Sequence, residues 1–411
     1  MSRFLLSAAA LFSLLISLLV VPTSVDARSR RCEEEPPETL LSLYRNSTEI
    51  HIGKFDRIED VSVIEETEDY TAVEIKKHFS LRTTLKGEPR KFYAAAEQDY
   101  RYKNVESEPA EGEDGEMHAD VYTLSPGDDV MIFLKTNEDE ETVVLSHYRD
   151  AIKKLDSDQM SIYEKSVREL NAIFAAKKVD DAEIVAWLVK TAVDPVTRWE
   201  GAFELLTGFQ TTEWRDERVK YLKEKEEKGE AIEDWEREDV ENEDANTKAR
   251  TAYTKMLTSQ QKDALLDAVI AQDSDSDDSS DEKGRSKLSE GNRMLIDLVS
   301  RWGDSRFASH LLSRLQNEPE EPYLNSQLME KVAKIINDGR VDDLVSRYGN
   351  LYYEDTEQVS AEDLAAAMPN ANNASSGDGK SNPVITYGEL RAKLLGDFIS
   401  LSQSLLTTAK N

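Results

Sequence analysis

Ser125-Pro126-Gly127-Asp128-Asp129-Val130-Met131-Ile132-Phe133-Leu134 (SPGDDVMIFL) decides the fold of the front third of this chain. Pro-Gly-Asp-Asp supplies the backbone angles of a tight turn. The five apolar residues after it are too few for a helix and carry no polar alternation. They suit a central strand covered on both faces. On the C-terminal side, Asn137 to Glu141 is a charged turn leading into a second apolar stretch, Thr142-Val143-Val144-Leu145. On the N-terminal side, Glu49 to Phe55 alternates, with Ile50, Ile52 and Lys54 on one side. Tyr70 to Phe79 alternates likewise through Thr71, Val73, Ile75 and Lys77, Leu85-Lys86-Gly87 closes that passage, and Lys91 to Ala95 reads as a third strand. Short strands of this kind, separated by turn signals within about a hundred residues, predict a small antiparallel barrel or sandwich over residues 47–150.

The connection from Glu97 to Ala119 is long and acidic. Tyr93, Tyr100 and Tyr102 near its start form a candidate contact surface, against the alternative of an ordinary solvated insertion. His51 is opposite in phase to Ile50 and Ile52, so it is expected to face solvent or a loop.

After Tyr148 the hydrophobic period lengthens. Met160, Tyr163, Val167, Leu170 and Phe174 recur at steps of three and four, after a cap at Asp156-Ser157-Asp158. Val179-Asp180-Asp181 opens the next helix, and Asp194-Pro195 another, with Trp199, Ala202, Phe203, Leu205 and Leu206 on its buried face. Thr212 to Arg250 reads as an exposed, ion-paired helix pair broken at Gly229. Gln272 to Glu282 has no apolar residue after Ala271, so ordering it costs entropy without return. Its alternating Asp residues miss the EF-hand spacing and leave only weak divalent-cation association. The expected division is 28–46 N-terminal segment with a short helix, 47–150 β-barrel, 151–271 helical domain with the charged pair, 272–287 acidic linker, 288–367 helical region, 368–383 second linker and 384–411 C-terminal helix. The class is α+β and multidomain: a small antiparallel barrel followed by an all-α bundle or short helical-repeat region.

With 411 residues, 39% hydrophobic and 32% charged, the chain can bury a sizeable core under a charged surface. A net charge of −31 excludes nucleic-acid or anionic-lipid binding through a general basic field. Phe4 to Val21 is an uncharged apolar run after Met-Ser-Arg, and Val25-Asp26-Ala27 has the residues of a cleavage site. Residues 1–27 therefore read as a secretory signal peptide, with an uncleaved signal anchor as the alternative. The expected location is secreted or periplasmic, with no stable membrane insertion after cleavage. Cys32 is the only cysteine, so no internal disulfide can form. The Arg28-Ser29-Arg30-Arg31 before it is wrong for bacterial lipidation but is similar to a dibasic processing site. Asn46-Ser47-Thr48 and Asn373-Ala374-Ser375 are glycosylation sequons that matter only in a eukaryotic host.

A cysteine after the signal, Pro36-Pro37, a short helix (Glu38 to Tyr44), the strand Ile50-His51-Ile52-Gly53-Lys54-Phe55, a longer strand ending in Leu85-Lys86-Gly87 and then SPGDDVMIFL follow in order. This order resembles the bacterial secreted relatives of the netrin-like module, the fold of the tissue inhibitors of metalloproteinases. The resemblance covers residues 32–148 and implies a five-stranded barrel of the oligonucleotide/oligosaccharide-binding type. In the animal inhibitors the N-terminal cysteine is bridged, and its amine and carbonyl chelate a catalytic zinc. Cys32 has no partner and the expected mature N-terminus is Arg28, two departures from that mechanism. Asp194-Pro195-Val196-Thr197-Arg198-Trp199-Glu200-Gly201-Ala202-Phe203-Glu204-Leu205-Leu206 resembles the second-helix entry of HEAT-like repeats, and Gly303 to Leu312 echoes it.

His51, His78, His118, His147 and His310 form no H-E-x-x-H pattern, and neither a nucleophile elbow nor a phosphate-cradling glycine loop occurs. No cofactor, metal or catalytic residue is expected. The sequence is read as an exported, non-catalytic interaction protein with a protein partner, its β-barrel the binding module on a helical scaffold. Tyr93, Tyr100, Tyr102 and Cys32 are the candidate contact residues. A metalloprotease-inhibitor-like protein is the alternative, and a carboxylate-based hydrolase the third reading.

Overall fold

In a computed structural model, the apolar run after Gly127 is strand β4 (Asp129–Thr136), and both its faces are covered. Five strands surround it in the sheet: β1 (Glu49–Glu66), β2 (Tyr70–Lys86), β3 (Phe92–Tyr102), β5 (Thr142–Val144) and β6 (Ile152–Lys154). The order is β3-β2-β1-β4-β5, with β6 also paired to β4, and every pairing is antiparallel. No backbone ladder joins β3 to β5 among the described residues, so the sheet is open by pairing. The structure describes residues 38–67, 70–102, 124–137, 142–144, 151–233, 236–237, 245–272, 289–317, 322–351, 356–368 and 385–409. The signal segment, Cys32, most of the Glu97–Ala119 connection and both expected linkers, apart from their first residues Gln272 and Met368, lie outside them.

The two faces of β4 enter two cores. Met131 and Phe133 join Ile50, Ile52 and Leu85 against helix α1 (Leu40–Asn46) and helix α2 (Ser157–Phe174). Val130, Ile132 and Leu134 join Phe55, Phe79, Leu81 and Ala95 on the other side, where the Phe55 and Phe79 rings meet at 5.6 Å. The uninterrupted VMIFL run is thus the sequence of a strand with no solvent face. Gly127 turns into it with φ 97°, and its N–H donates to the Phe55 carbonyl at 2.7 Å.

Helix α2 begins with a reciprocal cap. Asp156 accepts the Asp158 and Gln159 N–H groups, and Gln159 accepts the Asp156 N–H. Asp180 caps α3 (Asp181–Val193). The following helix α4 starts at Arg198, not at Asp194, and runs to Glu227. The residues before it are used by α3: Thr197 and Arg198 donate to the Thr191, Ala192 and Val193 carbonyls, which a helix end leaves without partners. The charged segment from Thr212 to Glu227 is the distal part of this same helix, which ends before Gly229 at φ 70°.

Helix α4 is the hub of the helical region, packed against α3, α5 (Ala245–Lys255) and α7 (Glu290–Ser300), while α6 (Ser259–Gln272) packs on α3. Further along, α8 (Ser305–Asn317), α9 (Pro322–Ile336), α10 (Gly339–Gly349) and α12 (Tyr387–Ala409) pack together, with short α11 (Ala361–Ala367) against α10. None of the described helices is long and apolar enough to cross a membrane.

Two buried carboxylates one turn apart on α4 tie the sheet side to the helices. Glu200 accepts the Leu40 N–H at 2.6 Å and the Tyr163 hydroxyl at 3.0 Å, with Lys153 Nζ of β6 at 3.1 Å. Glu204 accepts the Thr39 hydroxyl and both Arg250 Nε at 2.7 Å and Nη2 at 3.2 Å. Each carboxylate is surrounded by donors, the condition for keeping a charge away from water.

Candidate interaction surface

A polar network inside the sheet fixes the shape of the β module. Glu49 and His51 lie two apart on β1 and so share a face. His51 is fully buried, which overturns the expectation that it faces solvent. Its Nε2 lies 3.0 Å from Glu49 Oε2 and its Nδ1 3.2 Å from Thr84 Oγ1 of β2. With both ring nitrogens engaged and no exposed surface, the Thr84–His51–Glu49 row offers no nitrogen to a substrate, although its residue types are those of a nucleophile relay.

Arg90 completes the network. Its guanidinium donates twice to Glu49, from Nε at 2.5 Å and Nη2 at 2.7 Å, and Nη2 also donates to Thr142 Oγ1 at 2.8 Å. Those donors hold the Glu49 carboxyl below its ordinary range despite opposing burial, and the same contact raises the Arg90 guanidinium. Tyr93 of β3 donates its hydroxyl to the Thr142 carbonyl of β5 at 3.3 Å. The two ends of the strand order are thereby brought together through side chains.

Beyond Phe55, β1 leaves β4 and continues to Glu66. There it forms an arm with residues 70–79 of β2 and with β3, β2 lying in the middle. Val73 and Ile75 of this middle strand are buried. The outer strand is not: Ile58 is 49% exposed, Val61 43%, Val63 61% and Ile64 49%. These four large apolar side chains fall within seven residues. The register against β2 shifts between Phe55 and Arg57, Asp60 and Ser62, and Val63 and Glu65, so Asp56, Val61 and Ile64 have no opposite residue. Such bulges twist a strand and disrupt the ladder that a further strand would extend.

Of the candidate contact residues, Tyr93 is half-buried, stacks on Phe79 at 6.5 Å and uses its hydroxyl on Thr142. Tyr100 and Tyr102 lie on β3 opposite Ala72 and Tyr70, so the first residues of the expected acidic loop are strand instead. Cys32 lies outside the described residues. The exposed set lies on the part of β1 beyond Phe55, where the alternation that marks Glu49 to Phe55 as a strand no longer holds. The signal for it in the sequence is the β-branched set Val61, Val63 and Ile64. Among the described residues, no group of three or more His, Cys, Asp or Glu is placed to hold a metal ion.

Comparison of the chain with family models, with curated proteins and with solved structures finds no match in any of the three.

Proposed function

We propose that this chain is an exported, non-catalytic interaction protein whose β module binds a protein partner while the helices serve as scaffold. The observation that carries the reading is the exposed aliphatic set Ile58, Val61, Val63 and Ile64 on an arm that extends past the last β4 contact. Export rests on the sequence of residues 1–27. The Arg90 and Tyr93 bonds to Thr142 favour a barrel-like module closed by side chains where the ladder is absent. Covering one fully exposed aliphatic side chain is worth roughly 1.5–3 kcal/mol, and these are about half exposed. Association costs at least about 4 kcal/mol before any net affinity appears. The aliphatic set alone is therefore close to break-even, and a partner must add a second kind of contact.

Affinity capture from the native extracellular fluid tests the reading. The mature chain is compared with its Val63→Ser/Ile64→Ser variant. A partner retained by the first and lost by the second is expected. The reading fails if nothing is retained, or if both forms retain the same proteins equally.

A further inference from the structure

We infer that the partner segment recognised by the β1 arm is basic and aliphatic: a polypeptide that places Lys or Arg between branched apolar side chains. The inference rests on the interaction reading above and names the chemistry of the occupant.

Charge is the first argument. Within the outer strand of the arm, Ile58, Val61, Val63 and Ile64 are interleaved with Asp56, Glu59, Asp60, Glu65 and Glu66, and Arg57 is the single cation. Arg57 is already drawn to Glu59, at 3.7 Å. On the neighbouring strand, Lys77 pairs with Glu97 and the His78 ring meets Glu59 at 2.8 Å, while Lys76 lies opposite Glu59 in register. An apolar partner with its own carboxylates would meet like charge along Asp56, Glu59, Asp60, Glu65 and Glu66, and like-charge juxtaposition is how interfaces reject wrong partners.

A second copy of this chain is disfavoured on the same ground, since it brings the same acidic strand and a net charge of −31. Nucleic acid and anionic lipid are repelled likewise. The register shifts at Asp56, Val61 and Ile64 decide the mode of contact. They interrupt the regular spacing that strand addition needs, so recognition falls on side chains: aliphatic groups against the exposed row, ammonium or guanidinium groups between the carboxylates.

The test uses the full mature chain and three labelled synthetic peptides of equal length at physiological ionic strength: alternating Lys/Val, alternating Glu/Val and alternating Lys/Ser. Fluorescence anisotropy is expected to show the Lys/Val peptide binding at least about tenfold tighter than either other, and Val63→Ser/Ile64→Ser weakening it by about tenfold. Equal binding of Lys/Ser, or no loss in the double variant, reduces the effect to general attraction by an acidic chain and overturns the inference. Arm-dependent binding of Glu/Val overturns the charge class and leaves the interaction reading standing. A concentration-dependent dimer in sedimentation, abolished by the double variant, overturns it in favour of a second copy. If no peptide binds through the arm the inference fails, and the capture experiment then judges the interaction reading separately.

Discussion

The backbone N–H of Leu40 donates to Oε2 of Glu200 at 2.6 Å, across 160 residues of sequence. One carboxylate thus receives the first turn of α1, the Tyr163 hydroxyl of α2 and the Lys153 ammonium of β6. Glu200→Ala removes the acceptor and leaves the Lys153 charge, 12% exposed, without its partner. Breaking a buried pair from one side costs about 3–5 kcal/mol. Urea denaturation should show a loss of that size. Glu200→Gln, which keeps an acceptor oxygen but not the charge, should lose less.

Glu49 gives a pH signature. Its folded pKa is lowered, first by the Arg90 hydrogen bonds, from an ordinary value of 4.5. A lowered folded pKa contributes stability that is present above the unfolded value and lost as pH falls through the folded one. The stability gap between the native chain and Glu49→Gln should be constant above about pH 5 and shrink below pH 4.5. Calorimetric unfolding of both proteins across this range measures it, and a gap unchanged into strong acid would contradict the assignment.

Arg90 links Glu49 of β1 to Thr142 of β5, and the link has a local consequence. Arg90→Met leaves Glu49 with His51 alone and the Thr142 hydroxyl with only Thr136 Oγ1, at 3.3 Å. The guanidinium is partly exposed, so solvent softens the cost to about 1–3 kcal/mol. Amide exchange should rise at Thr142, Val143 and Val144 before it rises in β4. Arg90→Lys should not restore protection, because an ammonium cannot reproduce the two-pronged contact with Glu49 and still reach Thr142.

How far these features were legible in the sequence depends on the range of the interaction. The β4 run, the Gly127 turn and the Asp156 and Asp180 caps were readable because each is decided within a few residues. The start of α4 differs from the Asp194-Pro195 expectation because Thr197 and Arg198 serve the end of α3, a tertiary use that local capping rules do not contain. His51 was misplaced for a related reason. Alternation correctly puts it on the face opposite Ile50 and Ile52, but that face holds a second core and its Glu49–Arg90 network. Strand β6 is three residues long, too short for any period to show.

The crossing of α3 and α4 predicts opposite signs for one chemical change. A Cβ built on Gly201 would sit 2.2 Å from the Leu188 carbonyl oxygen and 2.5 Å from the Ala192 nitrogen, both backbone atoms. Gly201→Ala must therefore push the helices apart, at about 1–3 kcal/mol or more. Gly339 opens α10 with no atom near its would-be Cβ. There the same substitution should stabilise by about 0.4–1 kcal/mol, chiefly by restricting the unfolded chain. Thermal melts of the two single variants should move in opposite directions.

The docking role proposed for the arm can be tested apart from folding within one hairpin. Val63 stands opposite Val73 in register, yet Val63 is 61% exposed and Val73 is buried. A surface substitution that touches no cap, core or network changes stability by no more than about 0.5 kcal/mol, so Val63→Ser should leave the denaturation midpoint almost unmoved. Val73→Ser removes a buried aliphatic side chain and inserts a hydroxyl, and should cost about 1.5–3 kcal/mol. The ordering reverses for partner binding: Val63→Ser should weaken it, whereas Val73→Ser should preserve it wherever the protein remains folded. Equilibrium unfolding and partner binding measured on both variants check the two orderings together. Equal destabilisation by the two would mean that the outer strand belongs to the core, and the exposed row would then have no claim as a docking surface.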